Sequence, residues 1–194
     1  MRLILVDPPE AEPVTLDELK DQLRVIGDHD DAFLERAIRT ARAKLDGREG
    51  FLGRALVAQQ WRLELDAFPA REILLPLPPL LSVDAIVYVD AGGSEITLDA
   101  SAYVAIGAGD TERGCVRRAN GESWPATGSY PGAVAVTFTA GYGEPEDVPE
   151  PLRAAILMHA AHLYENREAA SVERVHEVPL GWFDHVADYR EPPL

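Results

Sequence analysis

The side chains best suited to chemistry stand on one short stretch, "ILMHAAHLYENRE" (156–168). On a helix His159 and His162 lie on adjacent faces, and Glu165 follows one turn on. Together they would form the core of a hydrolase that uses a metal to activate water. A zinc-binding helix, however, needs two histidines at i and i+4 with an acid between them, and this stretch has neither. The bland reading is two neutral polar side chains at a helix boundary or interface. His29, His176 and His185 fall in polar or loop contexts that complete no triad. There is no Gly-x-Ser-x-Gly elbow and no Ser-x-x-Lys. "GAGDTERG" (107–114) is rich in glycine but lacks the Gly-Lys-Ser/Thr ending of a phosphate loop, so it reads as a hairpin tip. "DHDD" (28–31) lacks the downstream acid and glycine of a calcium loop and reads as a solvated helix cap. The expectation is therefore no catalytic residue, no metal and no cofactor.

Bulk properties narrow the classes further. The 194 residues suit one domain, or one domain carrying an insertion. The 33 acidic residues outweigh 18 basic ones, for a net charge of −15. A surface of that sign repels phosphate backbones, because gripping a polyanion depends on Lys and Arg releasing its counterions. A mimic of DNA that captures a basic protein would use the same charge, but nothing else in the chain favours it. No apolar run is long enough to span a bilayer, and "MRLILVDPPE" is cut off by Asp7 and two prolines before it could act as a signal peptide. The single cysteine, Cys115, excludes an internal disulfide and suits a reducing compartment as a small buried hydrophobe.

The elements that would position any site follow from spacing. The first segment is extended and Pro-rich through Pro13. In "VTLDELKDQLRV" Thr15 and Glu18 form a capping box, Val14 can staple onto Leu19, and Leu16, Leu19 and Leu23 share a face. After an acidic break, Leu34, Ala37, Ile38, Ala41 and Leu45 form the stripe of a second helix. The period then drops to two. Trp61, Leu63 and Leu65 alternate, as do Val134, Val136 and Phe138, with a Pro-rich corner and a Gly92–Gly93 turn between them. Prolines at 69, 76, 78, 79, 125 and 131 keep these strands short and discourage edge-to-edge association. Pro149 and Pro151 suit the first turn of a third helix. That helix is apolar on nearly every side, so it must pack on more than one. Its charged end brings Arg167 to the negative terminus of the helix. Trp182, Phe183 and Tyr189 follow in a tail with little periodicity, where large aromatics dock on their own domain or on a partner.

The expected fold is α+β: a small helical bundle with an inserted antiparallel β-sheet unit and an extended C-terminal tail. The boundaries read as an N-terminal arm and helical hairpin (1–56), a β-rich insertion (57–140), the third bundle helix (141–170) and a docking tail (171–194).

These pieces, in this order, resemble the head–tail connector (adaptor) proteins of long-tailed bacteriophages, prophages and gene transfer agents. The likeness is carried by "PVTLDELKDQLRV", "AKLDGREGFLGRAL", "QQWRLELD", "ILLPLPPLLSVDAIVYVD" and "VTFTAGYGEPEDVPEPLRAAILMHAAHLYENRE", and it spans roughly residues 10–190. The resemblance implies a non-enzymatic ring, usually a dodecamer, located in the particle's neck beneath the portal. Its partners would be the portal protein, a tail-side stopper or tail-terminator protein, and further copies of itself. DNA would pass through its channel without specific binding, and no membrane would be involved. By motif, Tyr164, Asn166 and Arg167 carry over as structural or intersubunit contacts. "VPLGWFDHVADYR" resembles the family's closing Pro-x-Gly … Tyr-Arg element and adds Tyr189 and Arg190 as candidate interface residues, which Trp182 and Phe183 join as large aromatics of the same tail. Val186-Ala187 replace the usual Leu-Leu there. A tail-completion or assembly protein of the same particle is the neighbouring alternative.

Overall fold

The computed structural model describes residues 1–166 and 181–192. Its elements run β1 (Arg2–Asp7), α1 (Leu16–Leu23), α2 (Asp31–Leu45), β2 (Gln59–Leu65), β3 (Glu72–Leu74), β4 (Leu80–Val89), β5 (Glu95–Thr97), β6 (Tyr103–Ile106), β7 (Cys115–Arg118), β8 (Val134–Ala140), α3 (Glu150–Glu165) and α4 (Gly181–Val186). The class is α+β, as expected. Two compact units share the chain. One holds Met1–Glu10 and Ala58–Gly143; the other holds Ala11–Val57 and the described residues from Glu144 onward.

The helical unit begins at the predicted capping box. The Thr15 hydroxyl accepts the Glu18 amide at 3.2 Å, and the Glu18 carboxylate accepts the Thr15 amide at 2.7 Å. Val14 and Leu19 are both buried. α2 buries Leu34, Ala37, Ile38, Ala41 and Leu45, the residues of its predicted stripe. α3 packs against α1, α2 and α4 and buries Leu152, Ala155, Ile156 and Ala160. A helix apolar all round needs such neighbours on several sides; α4 is the one that the tail's weak periodicity did not mark. The acidic break differs from a solvated cap. Asp30 makes no side-chain bond to the start of α2, and its carboxylate instead accepts the Tyr164 hydroxyl at 2.6 Å.

Glu18 also ties α1 to α3, through an ion pair with Arg153. Burial pushes the Glu18 carboxyl up, but the Thr15 amide and hydroxyl and the Arg153 guanidinium outweigh it, so its pKa lies below the ordinary value. A carboxyl depressed by folding contributes stability above its unfolded pKa and loses that contribution as pH falls through the folded one. As pH falls below about 4.3, where an unperturbed glutamate is half protonated, Glu18→Gln is therefore expected to lose less stability than the parent. Urea midpoints taken across this range check it: parallel pH curves for the two proteins would show that Glu18 carries no linkage.

In the sheet unit the five-stranded sheet has the order β1-β2-β8-β4-β5, with every neighbouring pair antiparallel. A second, three-stranded antiparallel sheet has the order β3-β7-β6. The N-terminal arm, read with the helices from sequence, supplies β1 and belongs to this unit. Its six residues place Leu3 opposite Leu63 and Leu5 opposite Trp61. So short an apolar run carries too little period to announce a strand by itself. β8 is the middle strand, and Val134, Val136 and Phe138 are wholly buried. Ala135, on the opposite face, is buried as well, whereas Thr137 and Thr139 on that face are only half-buried.

Candidate assembly surface

The C-terminal aromatics rest on a platform that starts where α2 stops. The last carbonyls of a helix have no partner within it, and the loop "DGREGFLGR" (46–54) supplies donors by folding back. Phe51 N–H donates to Lys44 O at 2.8 Å and Leu52 N–H to Leu45 O at 3.2 Å. Gly50 permits so close a return, since a Cβ there would stand 2.3 Å from the Leu45 carbonyl oxygen. The loop is then locked from below. The Asp46 carboxylate accepts the Leu56 amide at 2.9 Å and Arg42 at 2.8 Å. Arg42 also donates to Glu12 at 2.7 Å. The loop so held carries both Phe51 and Arg54.

The segment 181–192 clasps that platform. Trp182 is buried, with its ring 5.8 Å from Phe51 and 6.3 Å, edge-on, from His159. Burial, with the nearby His162 and Lys44 adding to it, lowers the His159 pKa. The ring is thereby kept neutral beside the indole. Further along, Arg54 pairs with Glu191 at 2.6 Å and donates through Nε to the Tyr189 carbonyl. Glu191 N–H donates to Leu52 O at 2.8 Å, and the Arg190 guanidinium lies 4.8 Å over the Phe51 ring.

The residues singled out by sequence thus take different positions. Tyr164 is used inside the bundle, bonded to Asp30 and edge-on to Phe33 at 6.0 Å. Asn166 closes α3, its side chain donating to the His162 carbonyl at 2.9 Å. Arg167 lies outside the described residues. Trp182, Tyr189 and Arg190 meet on the 46–54 platform. Phe183, 55% exposed, turns outward while touching Phe51 and Trp182 edge-on. Phe51, Arg54 and Glu191, which organise the clasp, were not singled out. The signal for Phe51 and Arg54 lay within "GREGFLGRAL", a stretch that carried the family resemblance; Glu191 lies outside it. Among the described residues no three His, Cys, Asp or Glu side chains converge on a metal-sized site, and the His162 ring faces Asn166 at 3.2 Å.

Solved structures match this fold along its whole length. A chain from the neck of an empty GTA particle, computed with C6 symmetry, superposes with a TM-score of 0.80 at 27% identity, covering 100% of this chain and 97% of that one. A chain from the virion of a native gene transfer agent (GTA) particle gives 0.77 and 28% with the same coverage. The fold is that of a GTA neck chain. A third neck structure, from a native GTA particle computed with C12 symmetry, matches at 0.71 and 24% identity, again over 100% and 97% of the two chains, and speaks to fold alone. No protein-family profile matches the sequence, and no curated protein does. The match to a GTA neck chain, with that to a chain of the GTA virion, agrees with the head–tail connector resemblance and supports a structural neck component of a phage-like particle. Among the described residues no helix is long and apolar enough to cross a membrane.

Proposed function

We propose that this chain is a head–tail connector, a non-enzymatic protein that forms a dodecameric ring in the neck of a phage-like particle. In this reading one side of the ring meets a portal protein and the other a tail-side stopper or tail-terminator protein. The observation that carries the proposal is the full-length match to the GTA neck chain at a TM-score of 0.80. The charge of −15 supports it, since an acidic bore repels DNA and lets it slide, whereas a basic one would hold it through many phosphate contacts. The clasp supplies candidate contacts: Phe183 and Arg190 are exposed for a neighbouring protein, while Trp182 and Tyr189 hold them in place. Tyr164 and Asn166 shape the helix end that leads to Arg167.

Mass spectrometry of intact, purified particles tests the proposal. The chain is expected in a fixed ratio to portal protein and is expected to be missing from heads that lack a neck. Particles that never contain it would end the connector reading. Affinity for the tail tube with none for the portal would turn it into a tail-completion protein.

A further inference from the structure

We infer that copies of this chain join head to tail through their five-stranded sheets, with β5 of one copy pairing in parallel with β1 of the next. The inference rests on the ring reading above and names the contact that would close such a ring. β1 and β5 are the two edges of the sheet, and among the described residues each is paired on one side only. An edge strand carries a row of unmet amides and carbonyls, which soluble proteins usually guard with lysine, proline or a bulge. Between Arg2 and Leu5 there is no such guard, and the register shift comes only after Leu5. The prolines that keep the other strands short lie outside both β1 and β5. Leu5 and Val6 are 42% and 44% exposed, and Ile96 on the opposite edge is 37% exposed.

Strand direction selects the partner. Five strands with every neighbour antiparallel leave β1 and β5 running the same way. A copy related by rotation about a ring axis therefore brings its β1 alongside β5 in parallel. Such a contact joins two different patches and closes when the rotation closes. Pairing of β1 with itself would instead be twofold and would stop at a dimer.

Face parity then selects the register. Through the ladder, Leu3 shares a face with Leu63, Val136 and Ile86, and Ile96 shares that face with Tyr88 and Val134. Arg2 shares the opposite face with Glu64, Ala135 and Val87, and so does Glu95, through Val89. Setting Leu3 beside Ile96 keeps apolar residues on the apolar face and puts Arg2 beside Glu95. A slip of one residue would send each side chain to the wrong face. Arg2 is available for this second carboxylate: its side chain is 74% exposed and reaches Glu64 only at 3.9 Å.

The test places Arg2→Cys and Glu95→Cys together in a Cys115→Ala background, assembles particles, and treats them with a short bifunctional maleimide. A ladder of covalent multimers beyond the dimer is expected from the double variant and none from either single variant. In parallel, Arg2→Glu and Glu95→Arg are each expected to lower neck occupancy, and their combination to restore it. Covalent dimers from Arg2→Cys alone would mean that β1 pairs with itself, and would overturn the inference. So would particles that contain the double variant but yield no ladder, a result that leaves the connector reading standing. Particles that lack even the parent chain would remove the connector reading and this interface with it.

Discussion

Arg54→Ala is expected to free the C-terminal clasp from the helical unit and to destabilise that unit by about 3–5 kcal/mol, the usual cost of removing one partner from a buried ion pair. The Arg54 side chain is 10% exposed and that of Glu191 is 15%. Loss of the guanidinium takes its cation from the largely buried Glu191 carboxylate and removes the donor to the Tyr189 carbonyl. Hydrogen exchange reads the release directly, because the Glu191 amide is protected by its bond to the Leu52 carbonyl. Arg54→Lys should fall between parent and alanine, since one ammonium cannot reproduce the two contacts made by Nε and Nη2. The Arg54→Ala/Glu191→Ala pair should cost less than Arg54→Ala alone, because it also removes the carboxylate that the single variant leaves uncompensated. A cost below about 1 kcal/mol with the Glu191 amide still protected would mean that the buried Trp182 holds the clasp without the ion pair.

Phe138→Ala is expected to cost the sheet unit about 3–5 kcal/mol, the range for emptying a buried aromatic site. Phe138 is 0% exposed on the middle strand, opposite Trp61 on β2 and Val83 on β4. Strands hydrogen-bonded on both sides have little freedom to collapse into the space, so the cavity term should be close to its maximum. Phe138→Leu keeps most of the volume and should cost less than half as much. Denaturant unfolding followed by tryptophan emission in a Trp182→Phe background reports on the unit, since Trp61 and Trp124 both belong to it and Trp182 does not. A Phe138→Ala midpoint within error of the parent would show that the sheet relaxes around the gap.

The elements legible in the sequence were those whose signal is local. The Thr15–Glu18 capping box, the α2 stripe from Leu34 to Leu45 and the prolines at the head of α3 are each decided by residues within a few turns of one another. Each appears in the structure where spacing placed it. The clasp was legible only in part. Trp182, Tyr189 and Arg190 were conspicuous as aromatics and a cation in a weakly patterned tail. Arg54 looked like any loop arginine, because its partner lies 137 residues away. Burial, not residue type, separates it from the solvated arginines around it.

The strand assignments divide in the same way. Alternation in "QQWRLEL" and "VAVTFTA" identified β2 and β8, but "RLILVD" offered too few residues for a period to show. β1 became a strand because β2, more than fifty positions later, offers it an edge with Leu63 and Trp61 in register. The sequence by itself determined the helices α1, α2 and α3 and the apolar stripes of the first two, since backbone geometry turns spacing into faces. Only the tertiary structure decided that the N-terminal arm forms one edge of the sheet, that β1 and β5 are each paired on one side only among the described residues, and that the segment 181–192 lands on the end of α2. Those outcomes depend on where distant parts of the chain meet, and local spacing carries no record of that.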